Sequence, residues 1–389
     1  MYFQILFIVI YYHRQEKIYN INKKNSVNKI NQNNLIIYKK KPSNTNKPLI
    51  LIWKYGKSLE NRHINRFDNL KRYSPFDNCS VECDMTYDSS RIEQSDAVLF
   101  HLHKMTRLDA IEVSFLSKTK RRNNKQLWVF LTDESPLHTK IWPEYKNLFN
   151  WSMTYRSNSD VPVPYGRTIP KKYNPSMTNK SISKNINNKK KLVAIMGSNC
   201  STKNSKRWLY VRNILNILSK LNDTNNQLNI IGNCLNGNKK LCPGHFKKDC
   251  KYLNDYKFYL SFENSNCDEY LTEKIYWNAY DKYSVPIIMG PTKENCRNLL
   301  PPYSYIHVND FNTENDLINY IIYLNNNYDK YIEYHLWRYY YDVVNEHGYF
   351  GSSSKHYCHL CQAIISNDKT KTKVYNNIEE FLNKNQCVY

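Results

Sequence analysis

Short apolar runs alternate with helix-length segments along residues 191–327, and this alternation is the strongest constraint on the fold. An apolar run of about four to eight residues between polar segments is typical of a buried strand. Strands that alternate with helices form a parallel sheet, because each helix returns the chain to the same edge. The predicted strands span residues 192–196, 228–231, 257–262, 285–289 and 305–308, and the predicted helices span residues 205–221, 271–281 and 314–324. This stretch is therefore predicted to be one α/β domain.

A second α/β domain is predicted upstream, at residues 48–166. Its predicted elements are strands at residues 49–53, 97–101 and 127–131 and a helix at residues 108–116. Residues 167–190 carry Pro, Ser, Asn and Lys without apolar periodicity and are predicted to be a linker. Residues 328–389 are expected to pack back on the first domain. The predicted fold class is α/β, with two Rossmann-like domains facing a cleft, as in many nucleotide-sugar transferases.

The chain begins with a short apolar segment, residues 1–12, followed by an Asn- and Lys-rich segment, residues 13–47. A membrane-spanning helix needs about 20 apolar residues, so the first segment is too short to cross a bilayer by itself. It is consistent with part of a membrane anchor, an incomplete gene start or an interfacial segment. The second segment has little apolar periodicity and is predicted to be a flexible stem.

The chain is strongly basic, because 56 Lys and Arg residues exceed 34 Asp and Glu residues and give a formal net charge of +22. Such a charge suits nucleic acid, an anionic substrate such as a nucleotide, or an acidic membrane surface. The lysines are dispersed among Asn, Ile and Tyr residues, and the sequence contains no DNA- or RNA-binding motif. The composition therefore predicts no nucleic-acid partner.

Eleven cysteines are a high number for a reduced cytosolic protein and indicate an oxidising compartment. Five acceptor sequons for N-glycosylation agree with a secretory route, although an Asn-rich chain also produces sequons by chance. The sequons begin at Asn78, Asn150, Asn179, Asn199 and Asn222.

Polar side chains cluster where the predicted strand 257–262 meets the following helix. Asn264 follows that strand, and Tyr270, Glu273 and Lys274 share one face of the helix. Open α/β sheets bind ligands at the carboxyl ends of their strands. A lysine near a helix N-terminus suits phosphate, and Glu and Asn side chains suit sugar hydroxyls. An ordinary strand–helix turn with solvated charges is the competing interpretation.

Two further strand ends carry candidate site residues. Ser198 and Asn199 follow strand 192–196, and Arg207 lies early in the next helix, where its guanidinium could bind two phosphate oxygens. Glu134 follows strand 127–131 in the other domain, where a carboxylate could deprotonate a sugar hydroxyl. Taken alone, a solvated polar loop is the more common explanation of each segment. The sequence offers no close pair of carboxylates that would suit glycoside hydrolysis.

The ordered set of these segments resembles the α1,3/4-fucosyltransferase family from about residue 48 to residue 362. Each stretch is weak alone, and their order and spacing together make the resemblance specific. The matching stretches are YKFYLSFEN at 256–264, YLTEK at 270–274, VPIIMGP at 285–291, PPYSYIHVNDF at 301–311, FNWSMTYR at 149–156, VPYG at 163–166 and ESP at 134–136.

The resemblance implies a GT-B fold, a Golgi membrane location with a lumenal catalytic domain, and transfer of L-fucose from GDP-fucose with inversion. The acceptor would be an N-acetylglucosamine-containing glycan or glycoprotein. No metal is expected at the site, and a divalent metal is at most stimulatory. The alternatives are a transferase that uses another nucleotide sugar and a catalytically silent glycan-binding homologue.

The resemblance also implies individual roles. Glu134 matches the general base, and Arg207 and Lys274 match the cations that hold the diphosphate. The remaining matched residues are expected to bind the nucleotide sugar or line its loop: Ser198, Asn199, Asn264, Tyr270 and Glu273. Glu263 is interpreted as orienting fucose or the loop.

Four cysteines, Cys79, Cys83, Cys358 and Cys361, permit two interpretations. Short cysteine spacings are typical of zinc sites, whereas an oxidising compartment favours two disulfides that join the tail to the first domain. The family resemblance implies the disulfide pairing. Because the number of cysteines is odd, at least one thiol is expected to be unpaired, with Cys387 as the candidate.

Overall fold

The structure is a computed structural model that describes residues 47–54, 75–76, 79–120, 125–172, 179–203, 205–221, 227–243, 249–349, 354–368 and 370–387. The predicted N-terminal segment 1–12 and the predicted stem 13–47, apart from its last residue, lie outside these residues. Within the described residues, no helix has both the length and the apolar character needed to cross a membrane.

The first half of the chain forms a six-stranded parallel sheet with the order β2-β1-β3-β4-β5-β6. Its strands are β1 (Leu49–Ile52), β2 (Asp84–Thr86), β3 (Ala97–His101), β4 (Leu127–Thr132), β5 (Trp151–Thr154) and β6 (Val161–Pro162). Helix α1 (Arg107–Thr119) connects β3 to β4 and begins with a capping box between Thr106 and Asp109. The central strands β1, β3 and β4 are almost fully buried, which explains why their apolar runs predicted them well.

The segment predicted as a linker, residues 167–190, contains regular structure instead. Strand β7 (Gly166–Pro170) and helix α2 (Asn179–Ile186) occupy much of it. The partner of β7 comes from near the end of the chain, so its pairing has no local periodic signal in the sequence.

The second half forms a five-stranded parallel sheet with the order β12-β11-β10-β8-β9. Its strands are β8 (Lys191–Gly197), β9 (Leu228–Gly232), β10 (Tyr256–Phe262), β11 (Val285–Met289) and β12 (Ile306–His307). The helices are α3 (Arg207–Ser219), α4 (Glu273–Ile275, continued by a π-helical turn at Tyr276–Tyr280), α5 (Lys293–Leu299) and α6 (Glu314–Asn326). The predicted helix 271–281 therefore begins two residues late, because Thr272 caps it and its hydroxyl accepts from the backbone N–H of Lys274.

The last part of the chain contains α7 (Tyr328–Glu333), β13 (Tyr341–Asn345), α8 (His356–Ser366) and α9 (Ile378–Phe381). Strand β13 pairs with β7 in antiparallel fashion. Ile378 and Leu382 are fully buried in the core of the first sheet. Asn150 is also buried there and donates to the carbonyl of Lys373, so this sequon is not accessible in the folded chain.

Short 3₁₀ segments complete the described structure. They are Ser89–Gln94, Leu102–Lys104, Pro143–Tyr145, Cys234–Asn236, Lys251–Asp255, Val308–Asp310, Leu336–Tyr339 and Lys384–Gln386. The prediction of an α/β fold with two Rossmann-like parallel sheets is confirmed by the strand orders.

Five disulfides account for ten of the eleven cysteines. The pairs are Cys79–Cys358, Cys83–Cys361, Cys200–Cys234, Cys242–Cys250 and Cys267–Cys387. The first two confirm the predicted disulfides and exclude the zinc alternative for those four residues. The prediction of an unpaired Cys387 is wrong: an isolated antiparallel bridge brings its backbone beside Cys267, and the free thiol is the buried Cys296.

Candidate active site

The carboxyl ends of the two sheets meet at Glu134. This residue follows β4 by two positions, and its Oε2 accepts from Asn264 Nδ2 at 3.2 Å and from the Tyr270 hydroxyl at 3.1 Å. Both donors belong to the second half of the chain, beyond the end of β10. Sequence reasoning placed Glu134 on one domain and the other two residues on the other, and the structure brings all three into direct contact.

Two further bonds fix this junction. The hydroxyl of Ser265 donates to that of Ser135 at 2.6 Å, and both side chains are fully buried. The His138 ring lies 3.4 Å from the carbonyl oxygen of Asn264. The loops after β4 and β10 are therefore held together independently of the Glu134 side chain.

Tyr270 is a buried, uncharged hydrogen-bond donor. Its ring lies against those of Tyr155 and Tyr165, with centroids at 5.0 and 6.4 Å. Burial and the neighbouring carboxylates, Glu134 foremost, raise the pKa of Tyr270 well above its usual value. The hydroxyl therefore keeps its proton and directs it at Glu134.

Lys274 lies between two carboxylates, and its side chain is only 13% exposed. Its Nζ donates to Glu263 and to the Thr272 hydroxyl, each at 2.8 Å, and lies 3.3 Å from Glu273. Burial disfavours the charge, but the carboxylates of Glu263 and Glu273 outweigh it and raise the pKa of Lys274. Lys274 is thus a permanently charged group beside the end of β10.

Glu263 has no access to a substrate hydroxyl, since it is only 1% exposed. Its carboxylate also accepts from the backbone N–H of Thr272 at 3.0 Å and from the Thr272 hydroxyl at 2.8 Å. This arrangement suits a residue that shapes the loop and positions Lys274, and it does not suit a base.

Arg207 connects the ends of two neighbouring strands. It is 4% exposed, and its guanidinium donates to the carbonyl oxygens of Phe262 at 3.1 Å and Asn199 at 2.7 Å. Burial lowers the pKa of Arg207, but Glu263 and other nearby groups oppose this shift, and a guanidinium stays charged in proteins. Ser198 and Asn199 are exposed on the loop after β8, and the Cys200–Cys234 disulfide follows them directly.

A cavity of about 380 Å³ lies at the carboxyl edge of the second sheet. It is lined by Thr202, Lys203, Ser205, Lys206, Tyr210, Asn266, Met289, Val308, Asn309, Phe311, Asn312, Thr313 and Glu314. None of the eight site residues predicted from the sequence lines it. The signal that could have found it is the stretch 308–314, which follows β12, contains polar and aromatic residues and ends at the first residue of α6.

Two family models cover most of the chain. The model described as "Glycosyltransferase family 10 (fucosyltransferase) C-term" matches residues 186–381, and the model "Fucosyltransferase, N-terminal" matches residues 45–166.

Curated relatives include "4-galactosyl-N-acetylglucosaminide 3-alpha-L-fucosyltransferase FUT6" of Homo sapiens, 32% identical over 75% of this chain and 73% of the relative. The "4-galactosyl-N-acetylglucosaminide 3-alpha-L-fucosyltransferase 9" of Mus musculus is 32% identical over 75% of this chain and 70% of that protein. The "3-galactosyl-N-acetylglucosaminide 4-alpha-L-fucosyltransferase FUT3" of Bos taurus is 32% identical over 67% of this chain and 65% of its own length.

A solved structure titled "Crystal Structure of alpha1,3-Fucosyltransferase" aligns with a TM-score of 0.49 at 17% identity, covering 85% of this chain and 95% of that one. The family models and the curated relatives together show that this chain belongs to glycosyltransferase family 10, the fucosyltransferases.

Proposed function

We propose that this chain is an inverting α1,3-fucosyltransferase that moves L-fucose from GDP-fucose to an N-acetylglucosamine-containing glycan. The observation that supports the proposal best is the contact of Glu134 with Asn264 and Tyr270. Through this contact a partly exposed carboxylate of the first half lies against the loop that leads from β10 to Lys274. The curated relatives are named as transferases of α-L-fucose to galactosyl-N-acetylglucosaminides, which agrees with this donor and acceptor class.

Glu134 is the proposed general base. A carboxylate has about four lone-pair sites, and Asn264 and Tyr270 both donate to its Oε2. The other oxygen can accept the proton of the attacking sugar hydroxyl. Attack from one face while GDP leaves from the other inverts the fucose anomeric carbon through an oxocarbenium-like transition state.

Lys274 and Arg207 are the proposed partners of the diphosphate. Arg207 is buried, the Lys274 side chain is 13% exposed, and both are held by protein groups before any ligand arrives, so little reorganisation accompanies catalysis. Charge that develops on the leaving GDP is stabilised by these two groups, so departure of GDP requires no metal in this proposal. Asn264, Tyr270 and Glu273 would border the fucose and its phosphate, with Ser198 and Asn199 on the adjoining loop.

The guanosine is proposed to occupy the 380 Å³ cavity. Tyr210 and Phe311 offer aromatic faces for a purine, and Lys203 and Lys206 add positive charge near the phosphates. Guanine presents N1–H and a 2-amino group along one edge, and a carboxylate accepts such a pair of donors. Glu314 is the lining carboxylate, and Asn213 Nδ2 donates to its Oε1 at 3.0 Å and orients it.

A lumenal location in the Golgi membrane is part of the same proposal. Five disulfides agree with an oxidising compartment, where such bonds persist.

The proposal is tested by measuring GDP release from GDP-fucose by the full chain with a panel of galactosyl-N-acetylglucosamine and N-acetylglucosamine acceptors. We expect acceptor-dependent release of GDP from GDP-fucose and no acceptor-dependent release of UDP from UDP-sugars. Intact GDP binding without turnover on any acceptor would instead support a silent glycan-binding homologue.

The proposed recognition of guanine by Glu314 has its own test. Glu314→Gln should weaken GDP binding by about 10- to 100-fold, the value of hydrogen bonds to a charged group. It should also reduce the preference for GDP over inosine diphosphate, which lacks the 2-amino group. The matched control Glu294→Gln, on α5 and outside the cavity lining, should bind both nucleotides like the wild type. An unchanged preference in Glu314→Gln would place guanine elsewhere.

A further inference from the structure

Three side chains of metal-ligating types lie close together beside the loop that carries Glu134, and none of them lines the 380 Å³ cavity. They are Asp133 at the end of β4, His347 after β13 and His356 at the start of α8. One ligand atom from each lies within 4.8 Å of the other two. We infer that Asp133, His347 and His356 form a binding site for a divalent transition-metal ion of the zinc type.

The distances within this triad fit ligation. Asp133 Oδ2 lies 3.1 Å from His347 Nε2, and Asp133 Oδ1 lies 3.8 Å from His356 Nδ1. Ligands bound about 2.0–2.2 Å from a tetrahedral zinc ion are roughly 3.3–3.6 Å apart. The two distances bracket that separation, so small side-chain rotations suffice. The histidine rings are nearly perpendicular, at 87° with centroids 4.9 Å apart, which allows their nitrogens to approach one point from different directions.

The donor types favour a transition-metal ion over calcium or magnesium. Two imidazoles and one carboxylate are a zinc-type set, whereas calcium and magnesium favour oxygen ligands alone. Three protein ligands leave a fourth position for water, as in many non-structural zinc sites. The neighbouring carboxylate of Glu346 is engaged with Arg167 at 2.8 Å and is not needed as a ligand.

A simple hydrogen-bonded triad accounts less well for the arrangement. In the part of the chain that the structure describes, Asp133 Oδ1 and His356 Nε2 are buried without a hydrogen-bond partner. Buried polar atoms are nearly always satisfied, so each such atom calls for an explanation. An ion between the three side chains provides a partner for the Asp133 oxygen that internal hydrogen bonds leave unused.

The ligands are also held in place by their surroundings. The Tyr165 ring stacks on His347 at 4.2 Å and 9°, and its hydroxyl donates to the carbonyl of Asp133 at 2.8 Å. The His356 helix is tied to the first half by the disulfides of Cys358 and Cys361. Surrounding contacts that orient metal ligands are a general property of metal sites.

The role that follows is positioning rather than catalysis. Asp133 directly precedes the proposed base, so an ion bound to it would hold the Glu134 backbone against the C-terminal part of the chain. Because the three side chains do not line the 380 Å³ cavity proposed for guanosine, ion binding should not depend on GDP. The inference stands on these three side chains and not on the proposed substrate.

The test uses the untagged full chain, produced with zinc supplied and then dialysed against metal-free buffer. We expect close to one zinc per chain by inductively coupled plasma mass spectrometry. His356→Gln and Asp133→Asn should each lose the ion, whereas the control His359→Gln, which faces Glu346, should keep it. Replacing zinc with Co²⁺ should give the visible absorption of a tetrahedral, nitrogen-ligated ion.

A second measurement guards against variants that misfold. Removing zinc from the wild type with a chelator should lower its melting temperature, and adding zinc should restore that temperature. The melting temperature of the folded His356→Gln chain should change with neither treatment. A wild type that binds no zinc would overturn the inference. Unchanged zinc content in both His356→Gln and Asp133→Asn would do so as well.

Discussion

Replacing Glu134 by Gln isolates proton abstraction from every other role of this side chain. The substitution keeps shape and one carbonyl oxygen, and that oxygen can still accept from Asn264 and the Tyr270 hydroxyl. Bonds to the neutral amide are weaker than bonds to a carboxylate, so each loses about 1 kcal/mol. The Ser135–Ser265 bond remains and holds the two loops together. The folded structure should therefore survive with a modest fall in stability.

The catalytic loss is much larger than the structural one. A positioned general base contributes about 10²- to 10⁴-fold, which corresponds to roughly 3–5 kcal/mol of transition-state stabilisation. Because Glu134 does not line the 380 Å³ cavity proposed for guanosine, the KM for GDP-fucose should stay within a few-fold of the wild type. We expect the loss in kcat alone.

The assay is steady-state GDP release over a range of GDP-fucose concentrations, with calorimetric GDP binding measured in parallel. Glu269→Gln is the matched control: it removes a charge one residue before Tyr270, but its carboxylate binds Ser157 instead of the junction. A Glu134→Gln variant with wild-type kcat would refute the base assignment. A raised KM with unchanged kcat would assign Glu134 to substrate binding.

Two other predictions concern buried lysines. Lys274→Met should abolish GDP binding and destabilise the protein by about 3–5 kcal/mol, because the Glu263 carboxylate is left buried and unpaired. Adding Glu263→Gln should restore most of the melting temperature without restoring GDP binding by calorimetry, and recovered binding would contradict the diphosphate role. Burial lowers the pKa of Lys189 to about 7 from its ordinary 10.5, so between these values the unfolded chain retains a proton that the folded chain loses. In urea unfolding, the free energy of unfolding of the wild type should rise by up to about 5 kcal/mol relative to that of Lys189→Met as pH rises from 7 to 10.5. A difference between the two proteins that does not change with pH would contradict the burial argument.

Buried central strands were predictable because their signal is local. β3 and β11 are continuous apolar runs, and their predicted and observed bounds coincide. The short strands β2 and β6 at the sheet edge lack such runs, since only some of their residues are buried. The pairing of β7 with β13 joins segments about 170 residues apart, and no sequence window contains both.

The ends of the predicted strands indicated where the candidate site residues lie, but not which of them contact one another. Glu134, Asn264 and Lys274 all follow the carboxyl ends of parallel strands, as the general rule for open sheets requires. The contact between Glu134 and Tyr270 depends on the placement of one sheet against the other, which no local pattern specifies. The pairing of Cys387 with Cys267 escaped prediction for the same reason, since it closes a loop of 120 residues.

The geometry at Glu134 couples the two halves of the proposed reaction. Its two hydrogen-bond donors lie on the same loop that leads into Lys274, so the groups proposed to orient the base and to bind the diphosphate share one backbone segment. A shift of that segment on donor binding would change the direction of the Asn264 and Tyr270 donors together. The carboxylate oxygen that receives the acceptor proton would move with them. With these proposed roles, acceptor activation would be tied to the loop between β10 and Lys274 through two hydrogen bonds of 3.1–3.2 Å, and not through the nucleotide itself.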